Sequence, residues 1–169
     1  MISVTVTLAN RAEVEAMLDR IASVGERLGP LIVDAGIAFA HEVVLDIFKG
    51  EGQSGIIGGR AWAPLKWATQ QERIRLGFDP HHPILYRYGT LLDALVNESY
   101  SEHVVERTHV GPGHWRGVVG TTDWRFEELQ EGVESRNLRA RPMWPVGDAE
   151  TRFVGELGER VMRLIGEEF

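Results

Sequence analysis

Between residues 31 and 48 the chain reads LIVDAGIAFAHEVVLDIF, and Val33, Ile37, Ala40, Val44 and Ile47 recur at steps of four, three, four and three. That spacing places five apolar side chains on one face of an α-helix, a face that has to be covered. It is read as core-facing, although the same seam could pack against another subunit. With 169 residues the chain is long enough to cover the seam itself, so one domain spanning 1–169 is expected. A hydrophobic share of 43% and a charged share of 25% fit an ordinary globular protein. No stretch approaches 18 apolar residues and the first residues lack a signal-peptide pattern, so neither a membrane span nor a leader is expected. The absence of cysteine excludes disulfides and thiolate metal sites, and fits a reducing compartment.

The rest of the chain is read around this seam. ISVTVTL at 2–8 alternates as a half-buried strand, and Asn10 is placed to cap a helix with Glu13 in capping-box position. Val14, Leu18, Ile21, Val24 and Leu28 mark that helix, which Gly29-Pro30 is expected to interrupt. KGEGQSGIIGGRA at 49–61 holds five glycines and reads as a mobile loop. Its G-x-G-x-x-G at Gly50, Gly52 and Gly55 follows a helix and opens none, so a dinucleotide site is rejected. A short helix over 67–76, capped near Thr69, and a helix over 84–96 with Gly89 in its middle flank the turn cluster GFDPHHP. Gly111-Pro112-Gly113 joins two strands as a hairpin, and a short helix ends at Gly132. Pro142 and Pro145 exclude a regular helix there, and Asp148 caps a final helix bearing Phe153, Leu157, Val161 and Leu164. The expected fold is α+β: a small antiparallel sheet with a β-hairpin packed against several helices, and a flexible glycine-rich loop.

No catalytic constellation stands out. His41-Glu42 lacks the second histidine of H-E-x-x-H, because position 45 is Leu, and the remaining histidines read as solvated loop residues. G-x-S-x-G and the P-loop are absent, which leaves a small hydrolase without a motif. Neither a cofactor nor a metal is implied. The net charge of −7 is unevenly spread. Residues 1–59 carry 4 basic and 8 acidic groups and 148–169 carry 3 and 6, while 60–95 carry 5 and 3. A binder relying on phosphate neutralisation would ordinarily show a larger positive field.

The basic stretch contains the chain's most unusual string, GGRAWAPLKWATQQERIRLGF at 58–78. Trp62 and Trp67 beside Arg60, Lys66, Arg73 and Arg75 could stack nucleic-acid bases, or the indoles could cover the core edge. The order W-x-P-L (Trp62, Pro64, Leu65), Thr69, a basic run, then Ile84, Leu85, Gly89 and Leu91, resembles the phage virion-morphogenesis family, the Mu-like tail-completion proteins. That family continues with a hairpin, an aromatic-to-glycine segment and an R-P motif before a terminal helix, where this chain has WRFEELQEG and Arg141-Pro142. The segment before Gly132 departs from the family's usual Tyr-Ala and His-Gln. The related head–tail connector family shares the later layout. The resemblance spans about residues 4–165 and is best over 62–91.

It implies a non-enzymatic structural protein of the phage neck or tail end, forming a homo-oligomeric ring, of six subunits, at the head–tail junction. Tail-tube and head–tail connector proteins would be its partners, and the genome would pass through without tight binding. The location implied is the virion, with assembly in the host cytoplasm. The interaction residues expected are Trp62, Pro64, Leu65, Trp67, Thr69, Arg73, Arg75, Arg141 and Pro142, because Trp and Arg are common interface anchors. The alternative is a nucleic-acid-binding module using 60–75.

Overall fold

The computed structural model describes residues 11–81, 83–85, 88–136 and 138–168. The strand expected over 2–8 and the Asn10 cap lie outside the described residues. In order come helix α1 (Arg11–Lys49), strands β1 (Gln53–Ser54) and β2 (Gly58–Gly59), and helices α2 (Trp67–Arg75) and α3 (Thr90–Val96). Strands β3 (His103–Gly111) and β4 (His114–Thr121), helix α4 (Arg125–Glu131), a 3-10 turn (Glu134–Arg136) and helix α5 (Asp148–Glu168) follow. The described residues thus form an α+β fold of five helices and two two-stranded antiparallel sheets, β1–β2 and β3–β4.

Gly29-Pro30 does not break the first helix. α1 runs unbroken through it for 39 residues, about 58 Å at 1.5 Å per residue. Pro30 has no N–H to offer the carbonyl of Glu26, a defect that ordinarily costs about 3 kcal/mol inside a helix. The hairpin offsets it by packing along this part of α1. A Cβ on Gly29 would lie 2.1 Å from Cδ1 of Trp115, so only glycine admits the indole. One turn earlier Gly25 meets Gly113, and one turn later Val33 meets Gly117. Steps of four along the helix advance about 6 Å and steps of two along the strand about 6.8 Å, so the two surfaces stay in register over three contacts. The Glu26 carboxylate fastens the hairpin tip, accepting the Gly113 N–H at 2.7 Å and lying 3.1 Å from His109 Nε2.

The 31–48 seam faces this chain's own core. Ile37, Ala40, Val44 and Ile47 are at most 4% exposed. Val44 and Ile47, with Phe39, Val43 and Phe48, share a core cluster with Ile57, Ile84, Leu91, Leu95 and Met143 from the rest of the chain, while Ile37 and Ala40 lie where Gly117, Val119, Phe153 and Leu157 converge. Burying side chains of this size stabilises by roughly 1.5–3 kcal/mol each. α5 closes the core from the other side, with Phe153 stacked on Phe39 at 5.1 Å between centroids and Arg160 paired to Glu42 at 2.7 Å.

The helix expected over 84–96 begins only at Thr90. Gly89 is its N-cap, not a mid-helix residue, and holds φ 80°, a left-handed conformation that glycine adopts without strain. Leu85 has φ 62°, which no residue inside a right-handed helix adopts, so the helix cannot extend back to 84. Among the described residues no helix is long and apolar enough to cross a membrane.

Candidate functional site

The glycine-rich segment is ordered as a tight β1–β2 hairpin, contrary to the mobile loop expected. Its organiser is Ser54, whose hydroxyl donates to Asp46 at 2.6 Å and accepts the N–H groups of Ile56 and Ile57, each at 3.1 Å. The hydroxyl bond holds the Asp46 carboxyl below its ordinary pKa. Ile57 is fully buried. The glycines reflect close approach rather than mobility. Gly52, at φ 99°, passes so near Trp62 that a Cβ would sit 2.6 Å from its Cδ1.

Trp62, expected as a partner contact, belongs to the subunit's core. It is 6% exposed, meets Phe48 edge-on at 5.4 Å, and donates its Nε1–H to the Pro142 carbonyl at 2.9 Å. The return contact comes from Arg141, 8% exposed, whose Nη2 donates to the Ala63 carbonyl at 3.1 Å. The W-x-P-L and R-P segments, some 80 residues apart, therefore clasp each other reciprocally. Pro64 stays exposed, Leu65 packs against the core and Pro142 is half-buried.

Beyond the clasp, α2 leaves most of its residues exposed. Its N-cap is Lys66, not Thr69, which sits exposed in the first turn. Trp67 is 74% exposed, and Ile74, two turns on, is 52% exposed. Arg75 is exposed at the helix end. Arg73, expected to face a partner, is instead buried and ties the following turn to α2, its Nε donating to the Asp79 carbonyl at 2.6 Å and its Nη1 to that of Pro83 at 3.1 Å. Of the nine expected interaction residues, Trp67, Thr69, Arg75 and Pro64 thus lie at the surface, while Trp62, Arg73 and Arg141 hold the arm in place.

A cleft of about 560 Å³ opens between the start of α2 and the 136–141 segment, lined by Pro64, Leu65, Leu85 and Leu138 and by Lys66, Arg136, Arg139 and Arg141. Arg136 pairs with Glu128. Arg141 has only carbonyl partners, and Arg139 meets no carboxylate, among the described residues. Burial, reinforced by the neighbouring Arg139 charge, lowers the pKa of Arg141. Sequence reasoning missed the roles of Arg136 and Arg139, and also Gln130, whose side chain bonds the backbone of Met143 and Trp144 and so positions the R-P segment. An isolated Arg or Gln carries no local signal for such long-range contacts.

His103, expected in a solvated loop, instead lies half-buried in β3 beside His41 of α1. His41 and His103 lie 5.0 Å apart, each with Nε2 buried and unpartnered. No group of three or more His, Cys, Asp or Glu able to hold a metal occurs among the described residues. The chain matches no protein-family model, no curated protein and no solved structure.

Proposed function

We propose that this chain is a phage structural assembly protein of the tail-completion, terminator or neck kind, forming a ring at the head–tail junction and catalysing no reaction. The observation that carries this reading is the clasp between Trp62-Ala63 and Arg141-Pro142. It joins the two segments on which the family resemblance rests, and it presents α2 with Trp67 and Ile74 exposed. A rigid mount bearing an exposed indole is what a docking element needs, since aromatic anchors dominate interface energy and preorganisation lowers the entropic cost of binding. In this reading the surface of α2 meets tail-tube or connector proteins, and the genome passes through without tight binding. The protein resides in the virion after assembly in the host cytoplasm.

One observation favours a second reading. The cationic cleft beside α2 could hold nucleic-acid phosphates, making the chain a nucleic-acid-binding module. Electron microscopy of the purified protein, paired with fluorescence anisotropy on short duplex DNA, separates the two. Rings with duplex affinity no tighter than the non-specific range of roughly 10⁻⁴–10⁻⁶ M near physiological salt support assembly. Sub-micromolar duplex binding without rings supports the alternative.

A further inference from the structure

The cleft beside α2 gathers four cations around an apolar floor, and its most buried member, Arg141, faces no carboxylate among the described residues. Carbonyl oxygens satisfy Nε and Nη2 of Arg141 but supply no formal charge, and Nη1 has no hydrogen-bond partner among the described residues. A buried cation without a counter-ion is costly, so the site favours an incoming anion. The anion's carrier must also cover Leu65, Leu85 and Leu138.

One surface of the same chain has that composition. The side of α5 turned away from Phe153 and Leu157 carries Gly155, Gly158, Glu159, Met162 and Gly166, bordered by Val154 on one edge and by Arg163 on the other. Met162 and Val154 are 67% and 61% exposed, and Glu159 is exposed with no ion pair among the described residues. Among the described residues a Cβ on any of the three glycines would meet nothing within 4 Å, so no contact there demands them. Glycine weakens a helix interior, and a stripe of it lets another backbone come close. By contrast, the acids Glu26, Asp34 and Glu42 of α1 are already engaged by His109, Arg107 and Arg160.

We propose that the cleft of one copy receives the outward face of α5 from a second copy of this chain, with Glu159 as the counter-ion for Arg139 and Arg141. This rests on the assembly reading and names its contact. Cleft and helix face are different surfaces, so the contact is heterologous and repeats from copy to copy, which closes a ring when the rotation allows it.

A charge swap read by sedimentation velocity tests it, with circular dichroism as the check on folding. Arg139→Glu and Glu159→Arg should each weaken self-association about tenfold, by setting like charges together, and the double variant should recover it. Arg139→Gln should fall between wild type and Arg139→Glu. Exposed Arg139 has no ion pair to lose among the described residues, so its variants should fold. If wild type associates and neither single reversal alters it, the pairing is overturned while the assembly reading stands. If wild type remains monomeric at every concentration, the assembly reading fails and the pairing with it. If Arg139→Glu abolishes sub-micromolar duplex binding without touching association, the cleft serves nucleic acid and the proposal is wrong.

Discussion

Replacing Trp62 by alanine should destabilise the subunit itself. The indole is 6% exposed, meets Phe48 edge-on and bonds the Pro142 carbonyl. Truncating a buried Trp costs about 3–5 kcal/mol, a range that includes lost packing and the cavity left behind. The edge-on ring pair accounts for about 0.5–1.5 kcal/mol of this and the hydrogen bond for about 1 kcal/mol. A loss near 4 kcal/mol would lower the melting temperature by about 8–16 °C in a chain of this size. With a urea m-value near 2 kcal/mol/M it would lower the midpoint by about 2 M. Trp62→Phe keeps an aromatic ring against Phe48 but loses the donor, and should cost only about 1–2 kcal/mol. Thermal and urea melts of the three proteins, followed by circular dichroism, make the comparison. If Trp62→Ala melts within about 3 °C of wild type and loses self-association instead, the indole is an interface residue and the core placement is wrong.

Other substitutions probe the remaining contacts. Gly29→Ala should destabilise by about 1–3 kcal/mol despite alanine's better helix propensity, because its Cβ would strike the Trp115 ring near its root; a urea midpoint at or above wild type would contradict the packing of hairpin on helix. Gly158→Ala enters open space and should stabilise the subunit by about 0.5–1 kcal/mol in the same assay. Arg73→Ala should leave global melting nearly intact yet speed hydrogen exchange at the Leu76 and Phe78 amides about tenfold or more, since the turn to Pro83 loses two charge-assisted bonds.

The pH dependence follows from His41. Burial and then the neighbouring His103 lower its pKa, with Glu98 opposing and Arg107 reinforcing. The unfolded chain therefore takes up this proton at higher pH than the folded one, near 6.5. Stability should fall as pH drops below that value and level off below the folded pKa. His41→Gln should flatten the dependence, measured by urea midpoints between pH 7.5 and 5.

The parts of the fold legible in the sequence are those set by local periodicity or by turn chemistry. The 31–48 seam, the Gly111-Pro112-Gly113 hairpin, the stop at Gly132 and the apolar face of α5 are fixed by residues close together in the chain, and each is found as read. The failures share one cause. Gly29, Gly52 and Gly89 look locally like breakers, yet Gly29 and Gly52 make room for indoles from elsewhere in the fold and Gly89 begins a helix at a left-handed turn. Arg73 looks like a surface cation on a basic helix, but the turn that folds back onto it supplies carbonyls no periodicity reveals. The clasp itself was half legible: both of its segments were picked out, while the bonds joining them depend on a closure of some 80 residues. The cationic cleft arises from that closure, so the sequence alone marked only its Lys66 and Arg141 sides.

The most direct test of the assembly account is the mass of the purified protein in solution across a wide concentration range. The account expects the 18.9 kDa subunit to convert, as concentration rises, into a single closed species near six times that mass, with few intermediates. Mass that stays at the single-subunit value throughout, or that grows without limit into open polymers, would contradict it.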